Sequence, residues 1–133
     1  MPYLEKHFQN DFRKYAKHIL KDRGSFVYEL KATKKDYLSF RAVAKHQYYA
    51  LTAASSGVAH YKIPDEGVSQ KPFDGFQLIG VDAYIGIMFN TNKQKKDFYL
   101  IDIETFKDTR QSADRKSLTE EKAAEIGEKH TLH

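Results

Sequence analysis

The chain has no cysteine, no tryptophan and only three prolines. Without cysteine, disulfides and thiolate metal sites are excluded, which fits a reducing compartment. No apolar run approaches the ~20 residues of a membrane span, and no leader-like segment precedes the first predicted helix. The expectation is a soluble, cytoplasmic protein with no membrane partner. GxxxxGK and GxGxxG are both missing, so nucleotide-cradling loops are not expected. The six histidines show no HExxH spacing, and no Ser/His/Asp triad can be argued from order or distance along the chain.

What the chain does have is length, aromatic mass and uneven charge. Its 133 residues, 41% hydrophobic with nine Phe and nine Tyr, suffice for one domain with a real core. Residues 1–62 hold 12 Lys/Arg against 5 Asp/Glu, residues 63–106 hold 4 against 7, and residues 107–133 hold 6 against 6. A basic front half beside an acidic middle suits a protein that grips a polyanion and holds a cation.

Hydrophobic periodicity predicts a helix over 3–21, with Leu4, Phe8, Phe12, Tyr15 and Ile19 on one face. Gly24 is its expected stop. Residues 25–32 read as a strand, and 40–54 as a second helix capped by Ser39. Its apolar stripe would run through Phe40, Val43, Ala44, Gln47, Ala50, Leu51 and Ala54. Strands follow at 58–63, 73–79, 83–89 and 98–103. AYIGIMF (83–89) is nearly all apolar, as a central strand covered on both faces should be. After Phe106 the chain turns polar. Ser117 and Glu120 make a capping-box pattern before a thin helix near 118–129, weakened by Gly127. The expected order is α-β-α-β-β-β-β-α, a mixed β-sheet flanked by helices over 1–106, with 107–133 as a polar C-terminal tail.

Glu29 and Lys31 are the sharpest chemical feature. Two positions apart on a strand, their side chains share a face about 7 Å apart. A carboxylate that holds a hard divalent cation beside an ammonium that offsets charge on a phosphorane is what phosphodiester hydrolysis needs. Alone, E-x-K is a common tripeptide and reads as an ordinary ion pair. Asp74, in KPFDGF at the start of an apolar strand, adds a second acid. If buried, it needs a partner, and a metal would serve; Asp-Gly is also turn chemistry. Asp65, in IPDEG, is the rival acid and reads more simply as a turn residue. Gln47 stands on the apolar stripe where a Leu is expected, so its amide should face something polar, with Glu29 and Lys31 on offer. Lys34, Lys35 and Arg41 lie just beyond the strand, where they can bind phosphates, and His46, beside Gln47 but pointing away from the stripe, could touch DNA or water. Lys93, Lys95 and Lys96 form a second basic loop that reads as solubility.

These residues together resemble the PD-(D/E)XK nuclease superfamily, and within it the RecU-type and archaeal-type Holliday junction resolvases and short phage proteins of that kind. The run ELKATKKDYLSFRAVAKHQYYAL is similar to that family's E-x-K strand, Thr-containing loop, Ser-Phe helix start and His-Gln pair. AYIGIMF and FYLIDIETF are similar to its closing strands, and the likeness spans roughly 4–106. The resemblance implies a restriction-endonuclease-like fold and an Mg²⁺-dependent endodeoxyribonuclease, with Mn²⁺ as a substitute. Such an enzyme acts as a homodimer in DNA recombination, cutting four-way junctions or, alternatively, flaps, duplex or single strands. A catalytically inactive DNA-binding protein on the same scaffold is the other alternative.

By the same resemblance Glu29 and Asp74 are metal ligands, Lys31 the catalytic lysine and Gln47 the helix glutamine. Glu5 or Asp11 would stand for an acid on the first helix. In most members the acid precedes the E-x-K strand, whereas here PFD follows it. The expectation is therefore either a rearranged order that fills the same place in space or an inactive site.

Overall fold

The computed structural model describes residues 3–65, 70–93 and 96–132. Helix α1 (Glu5–Ile19) begins where the Leu4 amide donates to His7 Nδ1 at 2.9 Å. After a 3-10 turn at Lys21–Arg23, Gly24 takes φ +76°, and strand β1 (Phe26–Ala32) follows. Strand β2 (Tyr37–Ser39) and a 3-10 turn at Phe40–Ala42 precede helix α2 (Lys45–Ser56). Then come β3 (Val58–Lys62), β4 (Gly75–Ile79), β5 (Asp82–Met88) and β6 (Asp97–Asp102). Helix α3 (Ile103–Ser112), β7 (Ser117–Thr119), α4 (Glu120–Ile126) and β8 (Glu128–Thr131) complete the order. The architecture is mixed α/β. No helix among the described residues is long and apolar enough to cross a membrane.

The main sheet runs β1-β5-β6-β8, with β1 parallel to β5 and the remaining pairs antiparallel. As its apolar run predicts, β5 is interior to this sheet, and Ala83, Ile85, Ile87 and Met88 are buried on its two faces. One face packs Ile85, Ile87, Tyr99 and Ile101 against Leu51, Phe106, Leu118 and Ala123. The other packs Leu30, Met88, Phe98 and Leu100 against Phe8 and Phe12 of α1. Each of these large side chains contributes roughly 1.5–3 kcal/mol by leaving water. Two small ribbons flank the sheet: β2 with β7, and the β3–β4 hairpin, which packs against α2.

Several elements depart from the sequence reading. Residues 40–42 form a separate 3-10 turn in which Ser39 Oγ accepts from the Arg41 amide, and α2 starts five residues later than expected. Beyond Phe106 the chain is not a tail bearing one helix over 118–129. It holds the end of α3, then β7, α4 and β8, and β8 joins the main sheet beside β6. The cap of α4 is Thr119, whose Oγ1 accepts from the Lys122 amide, rather than Ser117, which pairs with Ser39 in a ribbon. Helix α3 escaped notice because its anchors, Ile103 and Phe106, sit among polar residues, and Ile103 continued the apolar run of β6. The element order is thus longer than expected, with short strands inserted around each polar segment.

Candidate active site

Among the described residues strand β1 is an edge of the main sheet, paired in register with β5 alone. Glu29 lies beside Ile85 and Lys31 beside Ile87, so both point to the face covered by α2. Their neighbour Leu30 points to the α1 face and is buried. Edge position and alternation together put a carboxylate and an ammonium on a core-facing surface that solvent still reaches. The Lys31 side chain is 14% exposed and that of Glu29 27%.

Gln47 ties this pair to the helix. Its Nε2 donates to Glu29 Oε1 at 2.9 Å, while its Oε1 accepts the Ala44 amide at 2.9 Å at the start of α2. Lys31 Nζ stands 3.4 Å from the same Glu29 Oε1. Gln47 therefore faces the polar pair, as its place on an apolar stripe demands. Both contacts fall on Oε1, and no hydrogen bond among the described residues engages Oε2.

Glu29, His46 and Gln47 open onto a groove of about 360 Å³ between α2 and the β3–β4 hairpin. Its far wall is Tyr61, Phe76 and Leu78, with the rings of Tyr61 and Phe76 5.6 Å apart. These hairpin residues were not singled out in the sequence. The signal that could have found them is alternation: Tyr61 pairs with Phe76 and Ala59 with Leu78 on one hairpin face.

Asp74 extends that same face by one step. The Ile63 amide donates to the Asp74 carbonyl at 2.7 Å, continuing the hairpin register beyond Lys62 and Gly75. Asp74 is not the buried acid the sequence suggested. Its side chain is 96% exposed, and its partner is Lys71, at 3.3 Å. Lys71 also pairs with Asp65, so one ammonium holds both rival acids at the loop end of the hairpin. Among the described residues no group of three His, Cys, Asp or Glu stands ready to hold a metal.

The remaining candidates scatter. Glu5 and Asp11 lie on α1, against the opposite face of the sheet, and Asp11 accepts from the Tyr3 hydroxyl. Lys34, Lys35 and Arg41 are exposed on the segment after β1, with Lys35 Nζ 5.4 Å from the Tyr37 ring centre. Lys93 and Lys96 line a cleft beside α1, where Lys96 Nζ lies 3.7 Å from the Tyr3 ring centre, and Lys95 falls outside the described residues.

A further acid lies on the Lys31 side of the sheet. Tyr99, in line with Ile87 and Lys31 across the strands, donates to Glu120 Oε2 at 2.9 Å, and Asn90 Nδ2 donates to Glu120 Oε1 at 2.7 Å. Burial, and then the bond to Glu120, push the Tyr99 hydroxyl well above its ordinary pKa, so it stays a donor. With both oxygens bonded, Glu120 fastens α4 to the sheet. Compared with known proteins, the chain matches no family model, no curated protein and no solved structure.

Proposed function

We propose that this chain is a metal-dependent DNA endonuclease of the PD-(D/E)XK type on a restriction-endonuclease-like scaffold, acting on branched DNA as a homodimer. The observation that carries the reading is Glu29 on an edge strand, fixed between Lys31 and Gln47 and facing an open groove. A core-facing carboxylate with one oxygen tethered and the other unengaged suits a hard cation, and Mg²⁺ commonly takes only one or two protein carboxylates. Glu29 would hold it, and Asp74 would be the second acid only on giving up its Lys71 partner. When bound, the ion supplies Lewis acidity at the phosphate and lowers the pKa of a water.

The chain's own groups do the rest. Gln47 keeps the Glu29 carboxylate in one orientation. Lys31 orients the attacking water and offsets charge growing on the phosphorane. Lys34, Lys35, Arg41 and His46 take flanking phosphates. The homodimer rests on the family resemblance alone.

The test is nicking of labelled four-way, flap, duplex and single-stranded DNA with Mg²⁺ or Mn²⁺. Lys31→Ala and Glu29→Gln should each lose about 10²-fold or more in rate while keeping DNA binding in EDTA. Parent-like cutting by both variants refutes the site. One observation favours a second reading, a DNA-binding protein without catalysis: Asp74 is solvated and bound to Lys71. That reading predicts salt-dependent binding and no cleavage with either metal.

A further inference from the structure

Helix α2 presents two flanks. One carries His46 and Gln47 to the Glu29 groove. The other carries Lys45, Tyr48 and Tyr49 toward α3, where Lys107, Arg110 and Gln111 close a second groove of about 550 Å³. Lys45, Lys107 and Arg110 give this lining three cations, and it contains no carboxylate. It also has no aliphatic anchor, since Thr52 is its other residue.

Its aromatic parts are set for a flat ligand. Tyr49 is 72% exposed, more than any other large hydrophobic side chain described. Tyr48 packs on Phe106 at 5.9 Å between ring centres, with the Arg110 guanidinium 5.3 Å from its own. The Tyr48 hydroxyl is buried, no hydrogen bond of good geometry reaches it among the described residues, and the Arg110 guanidinium is its polar neighbour.

We propose that the α2–α3 groove is a nucleotide subsite that takes one unstacked base of a DNA strand, with its phosphate. The base lies against Tyr49, while Lys45, Lys107 and Arg110 hold the phosphate. This rests on the DNA reading above for the identity of the polymer. Aromatic stacking needs a free base face, so the occupant is an unpaired stretch rather than intact duplex. The two grooves meet across the first turn of α2, where Lys45 and His46 are adjacent.

The experiment is fluorescence anisotropy in EDTA with a labelled twelve-residue oligothymidine and an abasic oligomer of equal charge. The intact chain should bind the thymidine oligomer roughly tenfold more tightly, given ~1–3 kcal/mol per stacked base. Tyr49→Ala should abolish that difference and Tyr49→Phe should preserve it. Arg110→Ala should weaken both oligomers and reduce the salt slope by about one. Equal binding of the two oligomers, or unchanged binding by both Tyr49→Ala and Arg110→Ala, overturns the subsite. Displacement by free thymidine monophosphate at oligomer-like concentrations overturns the strand assignment. Cleavage is scored separately. A chain that never cuts but discriminates the oligomers loses the nuclease reading and keeps the groove, whereas one that cuts through Glu29 without discrimination loses only the groove.

Discussion

Replacing Gln47 with leucine tests whether one amide sets the geometry of the Glu29 site. Leucine keeps the volume and removes both polar ends. The Ala44 amide, one of the orphan donors at the start of α2, loses its acceptor, a loss of about 1 kcal/mol for typical helix caps. Glu29 loses a charge-assisted bond that is worth about 1.5–3 kcal/mol in dry surroundings. Its 27% side-chain exposure lets water replace part of that bond. The net loss should be about 1.5–2 kcal/mol, or roughly 5–8 °C in melting temperature for a chain of this size. Urea denaturation should show a lower midpoint at constant slope.

Gln47→Glu separates the two contributions. It retains an acceptor for Ala44 but sets a second carboxylate against Glu29. At 4 Å and an effective dielectric of 20 that repulsion is about 4 kcal/mol at most, and it raises the pKa of one of the two groups. A raised carboxylate pKa is destabilising at high pH and is relieved as the pair takes up a proton, so this variant should recover stability toward acid. A Gln47→Leu midpoint within about 0.5 kcal/mol of the parent, or a Gln47→Glu variant with no acid recovery, refutes the bridging role.

Other outcomes follow from the packing of the C-terminal strand. A Cβ at Gly127 would stand 2.7 Å from Ile101 Cγ1 and 2.9 Å from the Leu100 carbonyl, so Gly127→Ala should cost roughly 1–3 kcal/mol. Unchanged urea stability would show that β8 does not seat as described. Arg23 binds Glu128 at 2.5 Å, and this bond holds the Glu128 carboxyl below its ordinary pKa. A depressed pKa adds stability above the ordinary glutamate range and loses it as pH falls through the folded value. Glu128 is 47% exposed, so Glu128→Gln should cost under about 1 kcal/mol at pH 7. Thermal melts should show the gap between parent and variant closing as pH falls below the ordinary glutamate range, and a gap that persists once the carboxyl is protonated excludes a charge effect.

Where periodicity was long and clean, sequence and structure agree. Phe8 and Phe12 on α1, the alternation of β1 and the apolar run of β5 each follow from a local pattern that the tertiary fold reinforces. Gln47 was legible for the same reason, because a polar residue on an apolar stripe must find a partner. Asp74 was misread because flanking Phe73 and Phe76 suggested burial, yet those rings are themselves 53% and 41% exposed. Local hydrophobicity cannot tell a hairpin tip from a core strand. The strands β2, β7 and β8 were invisible because three or four residues carry too little pattern, and each exists only through a partner distant in sequence. The Tyr48–Arg110 groove was hidden likewise, since its halves are brought together by the packing of α3 on α2.

Phe26 and Asp82 are register partners, so the pairing of β1 with β5 joins positions 56 apart, with α2 and the hairpin lying between. Non-local pairing of this kind makes for slow folding. Loop closure, however, grows only logarithmically, at ~0.6 kcal/mol for each doubling of the excursion. Added length between β3 and β4 is therefore cheap, although the hairpin forms one wall of the groove at Glu29. A wall of the groove at Glu29 can thus be lengthened at little cost in closure entropy.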